Sequence, residues 1–262
     1  AHPSAGAPSP AAPRIPLFRF EDLTMNGDLI RIAGEAFDAT SDEGNGPGGG
    51  GDGGGGGKGS PRAAAGTDLT ELDRLGMRIT FGFEQRRMEG LTVAVLPSDA
   101  EPGDADALVV DVSTPAKIQA ACEQSPVVKA AFENLAESGI SPIHPGFDVL
   151  TIRNGDVDRL IELKSSGVDA HVQAMTWNEW MTANGPLRDR FYLYLVGNLR
   201  SDLQSAMPYV RAVHDPVGTL SSSSNEESIL KRTIQLRVRE FPAADELKLG
   251  VQRRQSEDHG GA

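Results

Sequence analysis

Residues 145–148 (Pro145-Gly146-Phe147-Asp148), followed after a turn by residues 161–164 (Ile161-Glu162-Leu163-Lys164), decide how the rest of the chain is read. Gly146 to Ile152 and Leu160 to Ser165 have the composition of two strands, and Asn154-Gly155-Asp156 between them that of a tight turn. Side chains two apart on a strand share a face, so Glu162 and Lys164 point the same way. A carboxylate and an ammonium so placed can pair, or can flank a metal ion. Whether Asp148 joins them depends on the turn. A two-residue loop at Asn154-Gly155 sets Asp148 opposite Ile161, away from Glu162. A three-residue loop, with Gly155 or Asp156 left-handed, sets Asp148 opposite Glu162, Val149 opposite Ile161 and Leu150 opposite Leu160. One residue of slip inverts every side chain, so a site built on all three residues requires the odd loop.

The flanking sequence supplies the rest of an α/β or α+β domain over residues 67–245. Thr67 or Asp68 can cap a helix that runs to about Arg87, with Leu72, Leu75, Ile79 and Phe83 as its apolar stripe. Residues 91–96 and 107–112 read as strands, and 115–138 as two short helices broken at Ser125-Pro126. Val168 to Met175 is a further strand. Thr176 with Glu179 three residues on forms a capping box for a helix ending near Asn184-Gly185-Pro186. Phe191 to Val196 is an apolar strand of the buried kind, and Ile229 to Val238 alternates as a last strand. Upstream, Asn26-Gly27 is the turn of an N-terminal hairpin within residues 15–43. Residues 1–14 read as disordered or linker, and 246–262 as a frayed tail.

Residues 44–57 contain 11 glycines in 14 positions, which reads as part of a flexible linker over 44–66. The run Gly53 to Ser60 is no phosphate-binding loop, because Gly59 follows Lys58, Pro61 comes next and no strand precedes it.

With 25 Lys and Arg against 37 Asp and Glu, the net charge is −12. So acidic a chain is a poor general polyanion binder, although a local basic groove is compatible with it. The single Cys122 excludes an intrachain disulfide framework and a multi-cysteine zinc site. No apolar run approaches the roughly 18 residues of a membrane span, and the N-terminus lacks the regions of a secretory signal; a cytoplasmic location is expected. The chain starts at Ala1, which fits removal of Met or excision from something longer. An excess of Arg over Lys, 19 to 6, suggests a GC-rich bacterial genome.

Read as Pro145…Asp148…Glu162-Leu163-Lys164, the central motif resembles the PD-(D/E)XK nuclease signature. The blocks Ala174-Met175-Thr176-Trp177-Asn178-Glu179-Trp180 and Phe191 to Asn198 narrow this to a resemblance to the domain family named after the C-terminal domain of protein NO VEIN, regarded as part of that superfamily. The resemblance spans about residues 67–85 and 145–200. It implies a PD-(D/E)XK-like core, a mixed β-sheet flanked by helices, with residues 91–144 as an insertion after the first core helix. It also implies a Mg²⁺- or Mn²⁺-dependent DNA endonuclease in bacterial restriction or phage defence, partnered by or joined to an ATPase or helicase and able to homodimerise. Asp148, Glu162 and the Leu163 carbonyl would hold the metal, and Lys164 would position a water or stabilise developing charge. Glu84, which resembles the family's helical glutamate, would hold the outer shell or a second ion. Arg86, Arg87, Arg188 and Arg190 are candidate phosphate contacts. The alternative is a non-catalytic module that keeps the fold and binds DNA or a partner.

Plainer roles exist for each residue. Glu162 and Lys164 can be a surface ion pair worth about 0–1 kcal/mol. Glu84 can simply pair with Arg87, and Arg86-Arg87 can be a solvated face. Trp177, Trp180, Tyr192 and Tyr194 read as packing residues. His144 reads as a loop residue, His171 and His214 lack ligand spacing, and Cys122 reads as a small buried hydrophobe.

Overall fold

The computed structural model describes residues 16–30, 69–98, 101–170, 172–203, 206–220, 233–237 and 245–252. The linkers expected over 1–14 and 44–66, His171 and the end of the tail lie outside them. In chain order, the strands and helices are β1 (Leu23–Met25), β2 (Asp28–Leu29), α1 (Leu69–Arg87), β3 (Val93–Leu96), β4 (Ala107–Asp111), α2 (Pro115–Gln124), α3 (Pro126–Glu137), β5 (Val149–Arg153), β6 (Asp156–Ser165), β7 (Val172–Thr176), α4 (Trp177–Ala183), β8 (Phe191–Gly197), β9 (Tyr209–His214), α5 (Pro216–Leu220), β10 (Thr233–Arg237), β11 (Asp245–Lys248) and β12 (Gly250–Val251).

A seven-stranded mixed sheet, ordered β11-β9-β8-β6-β5-β4-β3, forms the centre. The pairs β3–β4 and β6–β8 are parallel and the others antiparallel. Residues 91–144 are woven into this frame: β3 and β4 extend the sheet, and α2 and α3 cover one face of it. That face also takes α4 and α5, burying Val110, Leu150, Leu160, Leu193 and Leu195 against Phe132, Leu135 and Trp180. The opposite face buries Val109, Val149, Ile161, Tyr194 and Val196 against α1 and the N-terminal hairpin. The resulting helix–sheet–helix layering follows from strands apolar on both sides.

Local signals set most of the boundaries. Thr114 and Ser125 cap α2 and α3, each with Pro in the first turn, and Ser125 separates the two helices. Asn26 and Gly27 take positive φ of 53° and 89°, so β1 and β2 turn as expected. The first strand of that hairpin begins later than the apolar run Leu17 to Phe20 suggests, because Phe20–Asp22 form a 3₁₀ turn. The tail is not frayed throughout: β11 pairs with β9 and β12 with β1.

The β5–β6 hairpin departs from the expected odd loop. Its turn has two residues, Asn154 and Gly155, with φ of 52° and 83°, and Arg153 pairs with Asp156. This primed geometry matches the right-handed twist of the strands. The extra residue falls instead at a bulge: Ile152 pairs with Val157 while Thr151 pairs with Arg159, leaving Asp158 between them. Beyond the bulge the register is Leu150 with Leu160 and Val149 with Ile161. Asp148 therefore continues on the face of Glu162, by a different device from the one expected.

Candidate active site

Three elements converge where β5 begins and β6 ends. Asp148 sits just before β5, at the end of the loop carrying Gly146 (φ 79°). Glu162 and Lys164 lie on β6 and are 4% and 5% exposed, so their charges are shielded from water. The third element is α4, which brings Glu179. The Lys164 ammonium donates to Glu162 Oε1 and, at 2.7 Å, to Glu179 Oε2. Glu179 Oε2 also accepts the Thr176 N–H at 3.0 Å, while Thr176 Oγ1 accepts the Glu179 N–H at 3.3 Å, which completes the capping box.

Asp148 is oriented by the strand beside it. Its Oδ2 accepts the Leu163 backbone N–H at 2.9 Å. A residue's N–H and C=O point to the same side of a strand, so the Leu163 carbonyl is also directed to the side of Asp148. Asp111, at the end of β4, lies near enough to act on the Asp148 charge. It binds the Ser113 N–H and hydroxyl and pairs with Lys117 at 3.0 Å.

Three carboxylates, those of Asp148, Glu162 and Glu179, thus gather around one ammonium. Burial pushes the Asp148 pKa up to about 6, against the Leu163 N–H and Lys164, with Glu179 and Asp111 adding to the rise. Burial also holds Glu162 well above the ordinary carboxylate range, reinforced by the charge of Asp148. Burial opposes the charge on Lys164, but Glu162 and Glu179 more than reverse this and keep it above the ordinary lysine value. Among the described residues, no three or more His, Cys, Asp or Glu side chains form a group that could hold a metal ion. Any ion here would rest on two carboxylates, a carbonyl and water.

The structure does not bring Glu84 into this cluster. It is fully buried on α1, across the sheet, where it accepts from the Tyr194 hydroxyl, from Arg87 at 2.7 Å and from Arg159 at 3.4 Å. Leu163 and Tyr194 share the α1 face while Glu162 and Lys164 take the other, because side chains alternate. The outer-shell role expected for Glu84 is replaced by a buried ion network.

The four candidate arginines also lie elsewhere. Arg87 is held by Glu84 and Asp158, Arg86 by Glu89 and Asp28, Arg188 by Asp215, and Arg190 donates to the Val157 carbonyl. Arg87, through Asp158, and Arg190, through the Val157 carbonyl, are held near the start of β6, while Glu162 and Lys164 lie near its end, about 13 Å or more along the strand at 3.3 Å per residue. Trp180 packs into the core at 8% exposure, but Trp177, expected beside it, is 42% exposed.

Glu179 is the site residue that sequence reasoning missed. Its signal was the Thr176-x-x-Glu179 box, which announces a helix start and says nothing of an ammonium fifteen residues upstream.

Fold and cluster together define a mixed α/β domain with a buried carboxylate–lysine centre at the end of a central strand. Residues 127–209 match the family model described as Protein NO VEIN, C-terminal. That stretch runs from α3 to the first residue of β9 and includes Asp148, Glu162, Lys164 and Glu179, but not Glu84. No curated protein and no solved structure matches the chain. Among the described residues, no helix is long and apolar enough to cross a membrane.

Proposed function

We propose that the chain is a metal-dependent DNA endonuclease domain of the PD-(D/E)XK type, acting in restriction or phage defence and working with an ATPase or helicase partner or parent chain. The observation that carries this reading is the bond from the Leu163 N–H to Asp148, which sets the carboxylate beside the peptide that joins Glu162 and Lys164 at the end of β6.

The donor set fits Mg²⁺. Asp148, Glu162 and the Leu163 carbonyl are all hard oxygen ligands, and Mg²⁺ commonly takes only one or two carboxylates, filling its shell with water and substrate phosphate. Burial and mutual repulsion, which raise the pKa of Asp148 and Glu162, would be offset by a divalent cation. When bound, such an ion would polarise a scissile phosphate and make a water more acidic. The protein's own contribution is orientation. Asp148 is aimed by the Leu163 N–H, Glu162 by its strand, and Lys164 by two carboxylates. Lys164 then holds a water in line with phosphorus, or meets the charge that develops as water attacks and one P–O ester bond breaks.

A second reading, a DNA- or partner-binding module without catalysis, is favoured by the ammonium already seated against Glu162 and by the engagement of all four candidate arginines with other groups of the chain. Incubation of the full chain with Mg²⁺ or Mn²⁺ on supercoiled, linear and single-stranded DNA separates the two. Cleavage by the wild type and none by Lys164→Ala supports the nuclease; equal inertness of both leaves the binding module.

A further inference from the structure

Lys164 has two acidic partners, and they are not equivalent. Glu162 is a strand residue beside Asp148 and is one of the two carboxylates a divalent ion would need. Glu179 belongs to another element, and its carboxylate is held by the Thr176 backbone N–H, which donates to the same oxygen that meets Lys164 and does not depend on the Thr176 side chain. Lys164 is almost wholly shielded from water, so water cannot replace a lost carboxylate partner. If Glu162 were its only partner, turning that carboxylate toward a metal ion would leave a buried ammonium uncompensated.

We propose that Glu179 is a positioning residue which takes over the Lys164 ammonium, so that the Glu162 carboxylate is released to a divalent cation. This rests on the active-site reading above and adds to it the group that makes metal entry compatible with a buried lysine. An ammonium has three donors; two are engaged here, and the bond to Glu179 persists when the bond to Glu162 is exchanged for the ion. Glu179 acts through Lys164 and is not itself a ligand of the metal.

The test is calorimetric titration of the full chain with Mg²⁺, and with Mn²⁺ as a second probe, for wild type, Glu179→Gln, Lys164→Met, the double variant and Thr176→Ala, each shown to be folded by circular dichroism. Glu179→Gln is expected to weaken affinity at least about tenfold, the scale of lost groups outside the ligand shell. In the Lys164→Met background, where no ammonium competes for Glu162, the same change is expected to matter less than about threefold; this non-additivity is the signature of coupling. Thr176→Ala removes the hydroxyl half of the cap but keeps Glu179, and should stay within about twofold of wild type. An undiminished loss in the Lys164→Met background would place Glu179 on the ion directly and overturn the proposal. So would wild-type affinity in Glu179→Gln, or an equal loss in Thr176→Ala. A wild type that binds neither ion overturns the active-site reading itself, a result distinct from all of these.

Discussion

The Leu163 N–H donates to the Asp148 carboxylate at 2.9 Å, across the gap left where β5 has not yet begun. A side chain thereby takes the place of a missing ladder partner. The same contact ties the acidic residue of one strand to the peptide lying between Glu162 and Lys164 on the next.

Burial of that carboxylate sets a pH dependence, which the Leu163 N–H only moderates. Asp148 has a pKa raised from its ordinary 3.8 to about 6. Between these values the folded state holds more protons than the unfolded one, so stability contributed by protonated Asp148 is full below about pH 4 and is lost as pH rises through 6. On the proposed reading, Mg²⁺ would compete with those protons. Its stabilisation of the fold should grow from pH 5 to pH 8, read as the Mg²⁺-induced shift in melting temperature. Asp148→Asn should flatten the profile and abolish the Mg²⁺ shift.

Glu84 should behave as a stability residue. Replacing it with Gln takes the buried carboxylate from Arg159 and leaves Arg87 with Asp158 alone, a change expected to cost up to about 3 kcal/mol. Urea unfolding should show that loss, while Mg²⁺ affinity of the folded variant stays at the wild-type value. A Glu84→Gln protein of unchanged stability that no longer binds Mg²⁺ would return this residue to the site.

Gly146 holds the loop of Asp148 against α4. A Cβ there would lie 2.6 Å from Thr182 Oγ1 and 2.9 Å from the Asn178 carbonyl oxygen, and its φ of 79° disfavours other residues. Gly146→Ala should therefore cost about 1–3 kcal/mol and, on the proposed reading, weaken Mg²⁺ binding by moving the loop that carries Asp148. Paired denaturation and titration measurements check both effects.

The two tryptophans should separate cleanly. Trp180→Ala empties a buried site and is expected to cost about 3–5 kcal/mol. Trp177→Ala, at an exposed position, should stay within about 0.5 kcal/mol. Urea unfolding followed by circular dichroism distinguishes them.

What the sequence determined by itself was local. The place of the turn after Arg153, though not its two-residue length, the break at Ser125-Pro126, the Thr176–Glu179 box and the alternation placing Glu162 beside Lys164 all depend on residues within a few positions of one another, and each is found in the structure. Local signals gave an α/β or α+β domain; the mixed sheet flanked by helices was an expectation of the family resemblance, and the structure has it. Tertiary structure alone decided the rest. The bulge at Asp158 sets the register of Asp148, and its side chain pairs with Arg87 from the distant α1. Glu179 reaches Lys164 only because the β6–α4–β8 crossover folds back over the sheet, and Glu84 is removed from the centre by the sheet's own thickness. Turns and caps close by short-range hydrogen bonds, whereas the meeting of charges across layers depends on how distant elements pack, which no local spacing encodes.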